Sequence, residues 1–446
     1  MASRLLMIAA AAAALVAAAP SESQAAEFVP GEVIVRYGAE ATGHDRRQAQ
    51  RAAGVGRSEK LPGGSRAMQI LDGESVGETL TELRRDPDVA YAVPNYVART
   101  SFVPNDPGFL PGAGPGGWQQ VQWNFNVLNA PRAWDLAIAA GAAGGRGVTV
   151  AVLDTGVAYE NRGRYRRSPD LYLRRFARGY DFVSNDPRPN DENGHGTHVT
   201  STIAERVNNG QGLTGLAYGA QIMPVRVLDS QGAGDSVAIA RGIRYAARHG
   251  AKVINLSLEF DAEIRAAQVP DIVSAARYAH SKGAVIFAAS GNVGSPTVAY
   301  PARTRYVVSV GATTERGCQA EYSNSGTGLD VVAPGGGSDA PVADNPYDQA
   351  TCRPGTGGRP IHQLTFRRER RPRLFGFPGG YKGTSMAAPH VSATAALIIA
   401  TGRLGPDPTP EAVEQRLKET ARDLGPVGYD TRYGWGLIDT AAAIAP

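Results

Sequence analysis

The chain has 446 residues, with 46 Lys and Arg against 42 Asp and Glu and a formal net charge of +4. That length exceeds one ordinary core and suits a leader, a small domain and one large domain, while so mild a charge argues against nucleic acid as a partner. Past the N-terminus no apolar run reaches membrane-spanning length, so no membrane association is expected once the leader is removed.

The leader comes first. Arg4 precedes an alanine-rich apolar run over 5–19, Pro20 ends it, and small residues follow at Ser23, Ala25 and Ala26. A basic start, a short apolar core and a small-residue cleavage site make residues 1–26 a secretory signal, cut after Ala25 or Ala26. Export places the rest of the chain outside the cell, in an oxidising setting. There the two cysteines, Cys318 and Cys352, are expected to form a disulfide.

Residues 27–105 read as a small domain. A strand over 31–37 is followed by a polar helix over 44–53. Strands over 55–61 and 65–71 flank the turn Pro62-Gly63-Gly64. An amphipathic helix over 75–85 puts Val76, Leu80 and Leu83 on one face, and a strand over 89–97 closes the unit. The order β-α-β-β-α-β predicts a ferredoxin-like α+β fold. Proline and glycine then crowd residues 104–117, which read as a linker.

Residues 106–446 carry apolar strands over 147–153, 221–228, 251–258 and 284–289, with helices over 233–248 and 269–282 between them. That alternation predicts an α/β domain with a parallel sheet covered by helices on both faces. Functional side chains of such sheets collect outside the carboxyl ends of the strands. Asp154 ends one strand and Asn292 follows another. His195 opens a helix in Asn193-Gly194-His195-Gly196-Thr197-His198-Val199, and Ser385 opens a later one. A serine at a helix start is most often a cap. Here its type interlocks with the others: a hydroxyl needs a base, an imidazole serves near neutral pH, and a carboxylate fixes the imidazole's tautomer. Asn292 could donate its amide to an oxyanion beside the Ser385 N–H.

Four segments, Val152-Leu153-Asp154-Thr155-Gly156-Val157, Gly194-His195-Gly196-Thr197-His198-Val199, Ala289-Ser290-Gly291-Asn292 and Gly383-Thr384-Ser385-Met386-Ala387-Ala388-Pro389-His390, resemble the subtilisin-like serine peptidases. Their order Asp, His, Ser is also that of subtilisin. The resemblance implies a subtilisin-like fold and a secreted, monomeric serine endopeptidase acting on polypeptides. Asp154, His195 and Ser385 would be the triad, Asn292 would belong to the oxyanion hole, and no cofactor would be needed for catalysis. The first unit resembles the family's inhibitory propeptide, which implies a self-processing precursor. By the same resemblance, Gly232, Ala233, Gly234, Ser257, Leu258 and Glu259 would bind substrate, with Ala289, Ser290 and Gly291 forming the other wall of the S1 pocket. Glu259 departs from the glycine often found in the family. It would either favour a basic P1 residue or point into solvent. Asp170 and Asn209 by side chain, and Val207, Gln211 and Leu213 by carbonyl, resemble a structural calcium site, with Gln119 or Gln122 to complete it. A catalytically silent binding protein and an acid-active Ser-Glu-Asp peptidase are the competing readings. Intact triad residues oppose the first, and His195 opposes the second.

Overall fold

The computed structural model describes residues 28–97, 101–110, 114, 116–172, 175–369 and 371–446. The expected signal segment, 1–26, lies outside them. The chain separates into two compact units, Met1–Thr100 and Ser101–Pro446.

In the first unit β1 (Phe28–Tyr37), β2 (Val55–Lys60), β3 (Arg66–Ile70) and β4 (Val89–Tyr96) form one sheet in the order β2-β3-β1-β4. Every neighbouring pair is antiparallel. The helices Gly43–Ala52 and Val76–Arg85 supply the crossovers. This is the ferredoxin-like arrangement that the alternation predicts. Both helices start where a capping box satisfies their free N–H groups, Thr42 with Asp45 and Ser75 with Glu78, each cap contributing about 1 kcal/mol. The core is Val33, Val35, Met68, Leu80 and Leu83. Burying side chains of this size contributes roughly 1.5–3 kcal/mol each before entropy is counted.

The second unit is built on seven strands: β5 (Thr149–Asp154), β6 (Tyr180–Asp181), β7 (Gln221–Arg226), β8 (Val253–Leu256), β9 (Val285–Ala289), β10 (Val308–Thr313) and β11 (Val331–Pro334). They lie in the order β11-β10-β9-β8-β5-β7-β6, and each pairing is parallel. Strands β8 to β11 are buried at every position, as apolar runs covered on both faces must be. The helix Ser236–Arg248 starts later than predicted because the Asp235 side chain accepts the Ala238 N–H and caps it there. That leaves residues 232–234 as irregular chain. The 18-residue helix Thr384–Thr401 packs against β8 to β11 and against the helix His195–Ala204. It is apolar nearly all round, as a helix inside a large core should be.

The stretch predicted as a linker is tied down at its start. Asp106 is fully buried. It accepts the N–H groups of Asn208 at 2.7 Å and Asn209 at 3.1 Å, and the Gly108 N–H donates to the Gly212 carbonyl. The composition signalled flexibility. A buried carboxylate facing otherwise unpaired loop amides overrides it. Cys318 and Cys352 form a disulfide, and both are buried. Among the described residues no helix is long and apolar enough to cross a membrane.

Candidate active site

Strand β5 delivers Asp154 to the carboxyl edge of the sheet, fully buried. His195 is the first residue of its helix, and its Nδ1 lies 2.7 Å from Asp154 Oδ1. That approach needs a glycine next door: a Cβ at Gly196 would fall 2.1 Å from the Gly156 carbonyl oxygen and 3.1 Å from the Asp154 side chain. Asp154 Oδ1 also accepts the Thr155 N–H at 2.7 Å, which leaves the carboxylate little freedom to rotate.

The start of that helix is held by a residue the sequence reading missed. Asp191, buried, accepts the N–H groups of Asn193, Gly194 and Thr197 and the hydroxyls of Thr155 and Thr197. A carboxylate four residues before a helix start is a legible anchoring signal. Burial works to lower the His195 pKa. The charges of Asp154, Asp191 and Glu259, with the Asp154 hydrogen bond, outweigh it and raise the imidazole above its ordinary value. The neighbouring histidines differ. Burial pushes His198 down to about 3 and His390 down to about 4. Burial outweighs the backbone carbonyl that each ring faces, so neither ring is charged near neutrality.

Ser385 stands in the first turn of the Thr384–Thr401 helix. Its hydroxyl donates to the Ser257 carbonyl at 3.2 Å, and the Ser257 hydroxyl donates back to the Ser385 carbonyl at 2.7 Å. Asn292 follows β9 past Gly291, whose φ of +118° and missing Cβ let the chain pass Asn324: an added Cβ would lie 2.1 Å from Asn324 Nδ2. The Asn292 Oδ1 accepts the Thr384 N–H at 2.7 Å and the Thr384 hydroxyl at 3.1 Å. These bonds fix which end of the amide points outward.

His195, Ser385 and Asn292 line one cleft of about 440 Å³, together with Gly232, Ala233, Gly234, Ser257, Leu258 and Glu259. Ala289, Ser290 and Gly291 are buried behind this lining. The Ser290 hydroxyl donates to the Asn324 carbonyl, and the Gly291 N–H to the Thr384 hydroxyl. Glu259 does not point into solvent. Its Oε1 accepts the Asn292 N–H at 3.0 Å and its Oε2 the Asn292 side-chain amide at 2.6 Å. Burial raises the Glu259 pKa, and the Asn292 bonds and the His195 charge pull against that rise.

The predicted calcium residues come together only in part. Asn209 donates its amide to Asp170 at 2.5 Å, while its own Oδ1 accepts the Gln211 N–H at 2.9 Å. Gln122 does not complete the group, which corrects the expectation. Its carboxamide is consumed by Thr214, accepting the N–H and hydroxyl and donating to the carbonyl. The Gln119 carbonyl accepts from the Asn126 side-chain amide, and the Gln119 N–H donates to the Gly116 carbonyl. A second acid that the sequence reading did not include, Asp106, also reaches the 207–213 loop. Burial, with the negative charge of Asp106 adding to it, pushes Asp170 up to about 7; burial and the charge of Asp170 raise Glu205 well above its ordinary value. Asp170 Oδ2 is buried with no hydrogen-bond partner of ordinary geometry. Such a group suits a hard cation, although among the described residues no three acidic, His or Cys side chains converge to hold one by themselves. Carbonyl oxygens would have to supply the balance.

A hydroxyl, an imidazole bonded to a buried carboxylate and a side-chain amide, gathered on one cleft beside a parallel sheet, are the groups that a serine hydrolase uses. Comparison with known proteins gives the lineage. The Subtilase family profile matches residues 145–436, and the Fervidolysin N-terminal prodomain profile matches residues 14–95. The chain is 33% identical over 410 residues to the Thermophilic serine proteinase of Bacillus sp. (strain AK1), covering 91% of this chain and 86% of that one. It is 34% identical over 302 residues to Thermitase of Thermoactinomyces vulgaris, covering 68% and 87%. Among solved structures, a protease of Pseudoalteromonas arctica PAMC 21717 superposes with a TM-score of 0.60 at 32% identity, covering 77% of this chain and 99% of that one. The chain belongs to the subtilase family and is a serine endopeptidase carrying a prodomain.

Proposed function

We propose that this chain is the precursor of a secreted endopeptidase in which Ser385 is the nucleophile, His195 the general base and Asp154 its orienting carboxylate. The observation that carries the reading is the 2.7 Å bond from His195 to buried Asp154, at the edge of the cleft that Ser385 also lines. An extended peptide pairs with the 232–234 and 257–259 edges, and its N–H takes the Ser257 carbonyl that now holds the Ser385 hydroxyl. The freed Oγ bonds to the scissile carbonyl carbon while its proton passes to His195 Nε2. The oxygen becomes an oxyanion held by the Ser385 N–H and the Asn292 amide. Collapse breaks the C–N bond, and the imidazolium proton leaves on the amine. Water then repeats the sequence on the acyl-enzyme and restores Ser385. Asp154 keeps Nδ1 protonated and stabilises the imidazolium throughout.

Residues 1–26 direct export. The prodomain inhibits the enzyme and assists its folding until Ser385 chemistry removes it. Calcium, when bound, would stiffen the 207–213 loop through Asp170, Asn209 and the carbonyls of Val207, Gln211 and Leu213. Asp106 takes the place expected of a glutamine.

Fluorophosphonate labelling tests the reading. A single adduct on Ser385, abolished in Ser385→Ala together with peptide hydrolysis, is expected. A native protein that takes no label, or labels elsewhere, would refute it. Expression of Ser385→Ala in a protease-free host should give uncleaved precursor; normal maturation there would rule out self-processing.

A further inference from the structure

The position of Glu259 has a consequence for substrate choice. Its carboxylate accepts the Asn292 backbone N–H and one of the two N–H groups of the side-chain amide. It therefore sets a negative charge against the amide that an oxyanion would need, and leaves that amide one N–H. It also spans from the 257–259 segment to Asn292, across the cleft that Ser385 lines. A peptide reacts faster once this carboxylate has left Asn292, for two reasons. The amide cannot serve two anions at full strength, and a carboxylate beside a forming oxyanion is repelled by it.

Leaving is costly for a partly buried charge unless another partner takes it up. A neutral P1 side chain supplies none. A guanidinium or ammonium group at P1 supplies a charge-assisted hydrogen bond in the same mouth of the cleft. We propose that Glu259 determines the specificity of this peptidase: a cationic P1 side chain draws its carboxylate off Asn292 and so frees the oxyanion donor, selecting Arg and Lys in the rate of acylation as well as in binding. This rests on the reading of Ser385 as nucleophile and Asn292 as oxyanion donor. It differs from plain charge attraction, which would lower KM and leave kcat alone.

The test uses mature enzyme whose active sites are counted by fluorophosphonate titration. Peptide amides differing only at P1 (Arg, its neutral isostere citrulline, Lys and Leu) are compared, with kcat and KM measured separately. In the native enzyme kcat for Arg should exceed that for citrulline by about tenfold or more, the worth of one charge-assisted bond. In Glu259→Gly and Glu259→Gln the ratio should fall towards one. In Glu259→Gly this should come about through a rise in kcat for citrulline and Leu. Two variants of different volume guard against a folding defect, and titration counts only folded sites. A native enzyme that titrates fully but turns over Arg and citrulline at equal kcat overturns the proposal and leaves the peptidase reading standing. So does a ratio unchanged in both variants. A native enzyme that takes no label overturns both.

Discussion

The carbonyl of Ser385 accepts the hydroxyl of Ser257 at 2.7 Å, and the cause lies four residues further on. Pro389 stands inside the Thr384–Thr401 helix and has no N–H, so the Ser385 carbonyl loses the donor an ordinary helix would give it. Ser257 replaces that donor. The nucleophile's backbone is thereby fastened to the same segment that forms one edge of the cleft.

Restoring the helical donor should make Ser257 partly dispensable. Ser257→Ala in the native background should lower stability by about 1–3 kcal/mol, because a buried carbonyl is left unpaired. In a Pro389→Ala background the same change should cost about 1 kcal/mol less. Urea denaturation of the four proteins measures the coupling. Equal costs in both backgrounds would mean that proline is not the reason for the bond.

Asp154→Asn should keep the fold and lose the chemistry. The amide can hold His195 only with the wrong tautomer facing Ser385, and the corresponding change in another triad lowers kcat by about 10⁴. KM should move little. A drop in kcat of less than about tenfold would remove Asp154 from the mechanism.

Activity should rise with pH as His195 loses its proton. The midpoint should lie above 6.5, the ordinary imidazole value, because Asp154, Asp191 and Glu259 face the ring and outweigh its burial. Each negative charge favours the protonated ring, so neutralising one lowers the midpoint. Glu259→Gln should therefore shift the acid limb of kcat/KM to lower pH. A limb that stays put, or moves upward, contradicts the charge assignment.

Calcium should raise the melting temperature, and EDTA should lower it. A ligand at roughly a hundred times its dissociation constant adds about 2.7 kcal/mol to the folded state. Asp170→Asn should abolish the calcium response while the melting temperature measured without calcium persists. A melting curve indifferent to both calcium and EDTA would leave the Asp106, Asp170 and Asn209 cluster without a cation.

Much was legible before any coordinate. Apolar runs placed β5, β8 and β9 to within two residues or so, because strands buried on both faces admit little else. The capping pairs Thr42 with Asp45 and Ser75 with Glu78 can be read directly from their spacing. Glu259 was visible as a departure, but its target was not. The linker assignment failed at Asp106, because composition cannot reveal that a carboxylate will meet the amides of a loop 102 residues away.

The amino-acid order alone determined the periodicities, the helix starts and which chemical groups were present, since these depend on neighbours within a few residues. Only the tertiary structure decided which polar atoms meet. Glu259 and Asn292 are 33 positions apart, and His195 and Asp154 are 41 apart. Their contact follows from how parallel strands stack and where the crossovers return, and a hydrogen bond forms or fails on differences of a few tenths of an ångström that no local pattern encodes.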